Sequence, residues 1–285
     1  MACRQRPGAS AARPPDIQRG EASIPRVTTT DVDPLHFARD LGGVGRAWAL
    51  GPSPAGALAH FAFAVFVPDS LAARVSPRPA VRLVGMQRSG MVDGWAGTPA
   101  DGRGVPADSG WWWIGHVTLP IKPGRTYLRL ALLAGDSTGT IIGWDSVDAA
   151  PERSGPRLGP LIVGARSMSV AWATAALDTA FFSPLRDVHR DDPLEVYGEL
   201  AGLEPGTSYE AALTLAPAGR SLGARLLGRT PPQVSVSWQG VAERAVIPIR
   251  RTVGVGALVP GSYVVRLVVR VGGRELRSED RIIIE

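Results

Sequence analysis

One pattern occurs three times in the sequence, as Pro123-Gly124-Arg125-Thr126-Tyr127, Pro205-Gly206-Thr207-Ser208-Tyr209 and Pro260-Gly261-Ser262-Tyr263. Each copy is followed by a run of alternating apolar residues. Proline favours the second position of a type II turn, and glycine supplies the positive φ needed at the third. The tyrosine then begins a strand, with its ring inward and its hydroxyl near a partner at the sandwich edge. These turns predict an all-β fold of antiparallel sheets stacked as sandwiches.

The chain divides into segments of different composition. The first residues are rich in arginine, proline and alanine and lack apolar periodicity, which is typical of a disordered tail. Asp33-Pro34 then fits a helix start and Gly42-Gly43 a helix end. We predict a disordered tail (1–32), a short helix (33–44), a first antiparallel β-sandwich (45–150), a linker (151–160) and a second, tandem β-sandwich (161–285).

Composition indicates a globular protein without a nucleic-acid footprint. Apolar residues make up 45% and charged residues 20% of the 285 residues, which suits two buried cores. The net charge is +5, but Lys122 is the only lysine among 31 basic residues, and the arginines are spread along the chain. Nucleic-acid binding needs basic residues clustered on one face. The sequence therefore predicts no nucleic-acid partner.

Cys3 is the only cysteine, so the chain can form no internal disulfide and no thiolate metal cluster. A small residue before it and a Pro/Ala/Arg/Ser-rich stretch after it are typical of the mature end of a bacterial lipoprotein. Two interpretations stay open, a lipidation site and an incidental residue in the tail. The first residues show no signal peptide. The sequence also predicts no transmembrane segment, because its best candidate, 57–67, has about half of the ~20 residues required.

Three tryptophans are candidate ligand-binding residues. In Trp111-Trp112-Trp113, strand alternation sends the middle ring to the face opposite its neighbours. We expect Trp111 and Trp113 in the core and Trp112 exposed, where an indole can stack on a sugar ring or on a partner's apolar side chain. Trp95 and Trp144 are the other two candidates.

The closing hairpin is the most sharply defined element. Gly272-Gly273 fits a two-residue turn in which both residues have positive φ. The resulting register places opposite charges across the exposed face. It pairs Arg270 with Glu275, Arg266 with Glu279, Val269 with Leu276 and Tyr263 with Ile282, and it places Asp280 opposite Val265. This last pair indicates a bulge or a sheet edge.

Glu195 and Glu199 share one strand face. At ~3.3 Å per residue they lie ~13 Å apart, beyond the ~5–9.5 Å of glycosidase carboxylate pairs. We therefore expect a rim or cross-strand ion-pair role for them.

An acidic loop is the only candidate metal site. It contains Asp187, Asp191 and Asp192, whose oxygens could bind calcium, and a solvated loop is the alternative, since two arginines interrupt it. The four histidines lack zinc-site spacing, and no nucleophile elbow, S-x-x-K motif, P-loop or complete G-x-G-x-x-G occurs. The sequence predicts no cofactor and no catalytic residue, and a hydrolase with an unrecognised site stays open as an alternative.

The second half of the chain resembles known sandwich domains. Leu203-Glu204-Pro205-Gly206-Thr207-Ser208-Tyr209 resembles the L-x-P-x-T-x-Y turn of fibronectin type III sandwiches. The stretches 192–203 and 258–263 resemble the C-terminal sandwich region of bacterial secreted proteins of the GWxTD-domain type, over roughly residues 125–285. The family's naming motif is matched only in part, by Gly143-Trp144-Asp145-Ser146. The resemblance implies a location outside the cytoplasm and a structural or binding role.

The predicted function is a non-catalytic, extracytoplasmic interaction or scaffold module with a protein or glycan partner. A carbohydrate-binding module that uses exposed tryptophans is the main alternative. Two or more tryptophans lining one exposed groove, beside a carboxylate or an amide, would favour that alternative.

Overall fold

The computed structural model describes residues 41–53, 56–76, 79–88, 90–133, 138–149, 155–219 and 233–285. Strands dominate these residues, and the only helical segments among them are two 3₁₀ turns, Asp69–Arg74 and Arg166–Met168. In this part of the chain, no helix has the length and apolar character needed to cross a membrane. The all-β fold predicted from the turns is confirmed.

Nineteen strands occur in the described residues. In chain order they are β1 (Gly42–Ser53), β2 (Gly56–Pro68), β3 (Ala80–Gln87), β4 (Gly90–Gly97), β5 (Arg103–Ala107), β6 (Gly110–Ile121), β7 (Gly124–Leu133), β8 (Gly139–Ala149), β9 (Arg157–Leu158), β10 (Ile162–Ala165), β11 (Val170–Ala173), β12 (Thr179–Phe182), β13 (Asp187–Val188), β14 (Leu194–Ala201), β15 (Ser208–Pro217), β16 (Val234–Val241), β17 (Val246–Val253), β18 (Gly261–Val271) and β19 (Arg274–Ile284).

The strands belong to two compact units. Of the described residues, the first unit holds those up to Ala47 and Ala59–Ala149, and the second holds Trp48–Leu58 and those after Ala149. Two four-stranded sheets, in the orders β1-β2-β6-β5 and β4-β3-β7-β8, contain the strands of the first unit. Sequential strands are neighbours in most of these pairs, which is typical of antiparallel meanders.

The core of the first unit lies between its two sheets. Phe61 and Phe63 of β2 are fully buried, and the Phe63 ring lies 5.1 Å from the ring of Trp113 on β6. Across the core, a methyl group added to Gly85 of β3 would lie 2.8 Å from the Leu119 side chain of β6. The sheets therefore pack face to face, and a side chain at Gly85 would displace Leu119.

The second unit contains three sheets. Their orders are β10-β14-β17 with β9 also on β14, β11-β12, and β13-β19-β18-β15-β16. One apolar cluster joins the first and the third of these sheets, and it includes Val196, Ile249, Leu213 and Leu267. All eight residues of β14 are buried, although only its even-numbered side chains belong to this cluster. The odd-numbered side chains of β14 are therefore covered on the opposite face of the sheet.

Each of the three proline–glycine pairs places a glycine with positive φ before a strand, and Pro205-Gly206 forms the predicted turn, in which the Thr207 amide donates to the Glu204 carbonyl at 3.1 Å. Gly124, Gly206 and Gly261 have φ values of 114°, 88° and 150°, and β7, β15 and β18 begin at or just after them. Tyr263 is buried and its hydroxyl donates to the Val259 carbonyl at 2.9 Å. This tyrosine follows the pattern expected of a strand entry, ring inward and hydroxyl bonded at the edge. Tyr127 does not, because it is half-buried and its neighbours Thr126 and Leu128 are the residues that face the core.

Parts of the fold differ from the sequence prediction. Residues 90–107, which are rich in glycine and proline, contain the strands β4 and β5. Both are edge strands, where glycines and Pro106 are tolerated because one side of the strand makes no ladder bonds. Residues 42–44, the predicted end of the helix, lie in β1, and residues 157–158 of the predicted linker form β9. The predicted tail (1–32) and the remainder of the helix (33–40) lie outside the described residues.

Candidate functional site

The hairpin of β11 and β12 is the most unusual feature of the second unit. Its strands pair from Val170↔Phe182 to Ala173↔Thr179. The turn is closed by hydrogen bonds from the Thr174 amide to the Asp178 carbonyl at 2.8 Å and from the Leu177 amide to the Thr174 carbonyl at 3.0 Å. This is the three-residue hairpin loop whose last residue is left-handed, a position that favours glycine.

Leu177 occupies that left-handed position. Its φ is 57°, and it is the only non-glycine residue with positive φ in the described chain. Its side chain is 85% exposed, the highest exposure among the large apolar residues described. A left-handed leucine costs about 1–2 kcal/mol relative to the right-handed conformation. The turn therefore bears a conformational cost and presents an apolar side chain to solvent.

Buried polar groups hold the hairpin on the outer face of β14. The Tyr197 hydroxyl donates to Glu199 Oε1 at 2.8 Å and lies 2.8 Å from Thr174 Oγ1 at the base of the turn. Burial raises the pKa of Glu199, and the Tyr197 hydrogen bond opposes this rise. Burial also raises the pKa of Tyr197, so this hydroxyl remains a donor.

Glu195 is the second buried carboxylate on this face of β14. Its carboxylate lies 3.6 Å from Arg166 and 3.5 Å from Arg250, and Thr252 donates to it at 3.1 Å. Both guanidinium groups stack on the ring of Phe181 in β12, at 5.0 and 5.1 Å from its centroid. Glu195 is thus part of a cross-strand ion pair, as the sequence predicts, but it is buried rather than on a rim.

Two further contacts fix the tip of the turn. Arg244 donates to the Ala176 carbonyl at 2.9 Å, and Arg250 lies 3.6 Å from the Asp178 carboxylate. The residue before and the residue after Leu177 are therefore each held by an arginine. These contacts order the loop, so little conformational entropy remains to be lost when it binds a partner.

Replacing Tyr197 with phenylalanine should lower the free energy of unfolding by about 1–3 kcal/mol, because the buried Glu199 carboxylate loses its donor. Denaturant unfolding of the full chain measures this loss. Tyr127→Phe is the matched control, because Tyr127 is only half-buried. An equal effect of the two substitutions would mean that the Tyr197–Glu199 bond does not support the hairpin.

The candidate tryptophans lie in three different strands, and the strand of Trp112 belongs to a different sheet from those of Trp95 and Trp144. Trp112 is half-buried rather than exposed, and its ring lies 5.2 Å from that of Phe66 on the neighbouring strand. Trp113 is buried as expected, and Trp111 is half-buried. Trp95 lies in β4 and Trp144 in β8, but their side chains lie outside the described part of the structure.

The candidate acidic residues have separate partners. Asp192 accepts hydrogen bonds from the amide and the hydroxyl of Ser167. Asp191 lies 3.5 Å from His189, and Asp187 is exposed in β13. Among the described side chains, no group of three or more histidine, cysteine or acidic residues could hold a metal ion. Cys3 lies outside the described residues.

A buried histidine pair in the first unit was not predicted from the sequence. His60 Nδ1 lies 3.1 Å from His116 Nε2, and His116 Nδ1 lies 3.6 Å from Asp101. Burial, and next the neighbouring His116, lower the pKa of His60 to about 3. The two histidines are 56 positions apart, so only the pairing of β2 with β6 could have revealed the contact.

A groove of about 550 Å³ lies on the five-stranded sheet of the second unit. Glu210, Gln239 and Arg270 line it on the outer face of the sheet, and one tryptophan, Trp238, borders it although its ring packs on the core side. The Arg251 guanidinium lies 3.9 Å from the centre of the Trp238 ring, which gives this ring a partner within the protein. The groove therefore lacks the pair of tryptophans that would favour sugar binding.

Comparisons with known proteins do not identify a family. No family model matches the chain, and no curated protein matches it. Among solved structures, a red sea bream transglutaminase aligns with a TM-score of 0.24 and 11% identity, over 85% of this chain and 31% of that one. A fibronectin(III)-like module of Clostridium thermocellum CbhA aligns with a TM-score of 0.20 and 10% identity, over 79% of this chain and 84% of that one. The chain thus spans under a third of the transglutaminase. The strands and sheets of this chain themselves define it as a β-sandwich module.

Proposed function

We propose that this chain is a non-catalytic interaction or scaffold module, and that Leu177 is a side chain it presents to a partner protein. The observation that supports the proposal is a left-handed leucine, 85% exposed, at the tip of an ordered hairpin. Strained backbone that persists in a well-ordered turn often marks a functional position. Burial of this leucine in a partner's pocket would contribute about 1.5–3 kcal/mol.

The surroundings of Leu177 favour a protein pocket over a lipid surface. One leucine gives a small apolar area, and Asp178 directly follows it in the turn. Binding to a lipid surface scales with the apolar area buried, and a single leucine buries little. Arg244 and Arg250 flank the same turn, so an apolar pocket with charged groups of both signs on its rim is the best complement.

The buried carboxylates support a positioning role rather than catalysis. Glu195 is held by two arginines and Thr252, and Glu199 by Tyr197. Each carboxylate is thus engaged by neighbours that belong to the hairpin or to the sheet below it. Such an arrangement fixes the hairpin, whereas a general acid or base needs access to a substrate atom.

The proposed location is outside the cytoplasm. It is supported by the resemblance of 192–203 and 258–263 to bacterial secreted proteins of the GWxTD-domain type. Lipidation of Cys3 belongs to the same proposal, because it would anchor the module to a membrane. Metabolic labelling with a fatty-acid analogue, compared between the natural chain and Cys3→Ser, tests this part separately.

Substituting Leu177 with glycine should abolish partner binding without destabilising the protein. Glycine adopts the left-handed conformation without strain, so the free energy of unfolding should stay level or rise by up to about 1 kcal/mol. Thermal unfolding measures the stability, and a pull-down from an envelope extract of the source organism measures the binding. Leu177→Met is the matched control, because it keeps an apolar side chain of similar volume.

The two measurements distinguish the alternatives. A partner protein retained by the natural chain and by Leu177→Met, but lost with Leu177→Gly, would support the proposal. Retention of the same partner by Leu177→Gly would overturn the role of this residue. Binding on a glycan array that is unchanged by Leu177→Gly would instead favour a carbohydrate-binding module.

A further inference from the structure

In the part of the chain that the structure describes, the outer edge of β16 lacks the charges, prolines and bulges that commonly protect an edge strand. The strand ends the five-stranded sheet, and no other described strand pairs with its free side. Its eight residues, Val-Ser-Val-Ser-Trp-Gln-Gly-Val, include no charge and no proline. It pairs with β15 over eight consecutive positions without a bulge. An exposed, regular edge of this length is a template for another strand.

The other edge strands of the described sheets are protected. Those longer than four residues each contain a charged residue or a proline, and the remaining edge strands are four residues long or shorter. The protecting residues include Arg46 in β1, Asp93 in β4, Arg103 in β5, Asp148 in β8 and Pro248 in β17. Among the described edge strands longer than four residues, β16 is therefore the one that has neither a charged residue nor a proline.

Exposed apolar area lies along the same edge. Val236 is 42% exposed, although it lies opposite the buried Leu213 on the core side of the sheet. Trp238, two positions along, is half-buried and faces the same side. A strand added beside β16 would cover both side chains if it carried apolar residues at matching positions.

We infer that β16 pairs with β16 of a second copy of this chain, antiparallel about a two-fold axis at Ser237. This register places Val236 of each copy opposite Trp238 of the other, a β-branched–aromatic pair that stabilises antiparallel sheets. It also places Ser235 opposite Gln239 on the outer face. In this register the side chains of β16 match those of β16 in the second copy on both faces of the sheet. Such self-complementarity is what a two-fold contact requires.

Charge supports a second copy as the occupant. An antiparallel two-fold contact brings each residue near its own counterpart, so charges at the edge would repel each other. The absence of charge from β16 removes this penalty. The resulting sheet would continue through both copies as ten strands, five from each. This inference is independent of Leu177, which lies on another sheet of the unit.

Sedimentation equilibrium of the full chain tests the inference. The natural protein should have twice the monomer mass at high concentration, and Val236→Lys should be monomeric, because it places a charge on each side of the contact. Val259→Lys is the matched control, since Val259 is an exposed valine outside the edge strand, and it should remain dimeric. A monomeric natural protein, or a Val236→Lys variant that is still dimeric, would overturn the inference.

A disulfide tests the register in a Cys3→Ser background. Ser237→Cys places two thiols opposite each other across the axis, where Cα atoms of antiparallel partners lie ~4.5–5.5 Å apart, within disulfide range. It should form a covalent dimer on mild oxidation, while Gln239→Cys should not, because its thiols lie opposite Ser235. Cross-linking of Gln239→Cys but not of Ser237→Cys would exclude the proposed pairing.

Discussion

Replacing Leu267 with alanine should lower the free energy of unfolding of the second unit by about 2–5 kcal/mol. Leu267 lies at the centre of β18 and is 1% exposed. Its side chain packs toward Gly198 of β14, where an added methyl group would lie 3.3 Å from Leu267 Cδ2. Because glycine offers no side chain to fill the space, the truncation should leave a cavity that collapses poorly. Urea unfolding followed by fluorescence measures the loss.

Arg266→Ala is the matched control for this prediction. The residue is next in sequence but points to the opposite, exposed face, where it bonds to Glu279 at 2.6 Å. Exposed ion pairs contribute little, since water screens them and both side chains lose rotamer freedom. The control should therefore hardly change the unfolding midpoint. Equal effects of the two substitutions would contradict the assignment of faces along β18.

The closing hairpin could be predicted residue by residue from the sequence. Gly272 and Gly273 have φ values of 55° and 73°, and the register is continuous from Val271↔Arg274 to Gly261↔Ile284. The predicted ion pairs of Arg270 with Glu275 and of Arg266 with Glu279 both form. The prediction works because a two-residue turn fixes the register of both strands, and alternation then fixes their faces.

The position of Asp280 could not be explained from the hairpin register alone, because it depends on which strands lie beside β19. It pairs with Val265 without a bulge, and it is half-buried. The strand β13 pairs with β19 only at Ile283 and Ile284, so Asp280 lies where β19 has one described neighbour. Of the two explanations open from the sequence, a sheet edge is the one that the structure shows.

The candidate site could be predicted only in part. The alternation of β14 places Glu195 and Glu199 on one face, and the structure keeps them there. The hairpin that covers them was missed, because its loop has leucine where the local rule expects glycine. Hairpin loops are recognised in a sequence by glycine or asparagine at their left-handed positions, and Leu177 occupies such a position instead. Conflicts between local preference and fold are concentrated at functional positions, which is why this residue supports the proposed function.

Lowering the pH should destabilise the first unit through His60. Its pKa is about 3 in the folded protein and 6.5 when unperturbed. Between these values the unfolded chain binds a proton that the folded chain does not, so stability falls as the pH falls from 6.5 toward 3. At ~1.36 kcal/mol per pH unit, the full loss amounts to about 5 kcal/mol. Above pH 6.5 the group is neutral in both states and the dependence ends.

Two substitutions isolate this contribution in urea unfolding at several pH values. His60→Gln removes the buried titrating group, so its free energy of unfolding should depend less steeply on pH between 6.5 and 4. His189→Gln is the matched control, because His189 is exposed beside Asp191, and it should keep the slope of the natural protein. Glu199 acts in the opposite direction, since its raised pKa makes protonation favour the folded state as the pH falls. Only the difference between the two variants therefore reports on His60, and equal slopes would assign the acid sensitivity to other groups.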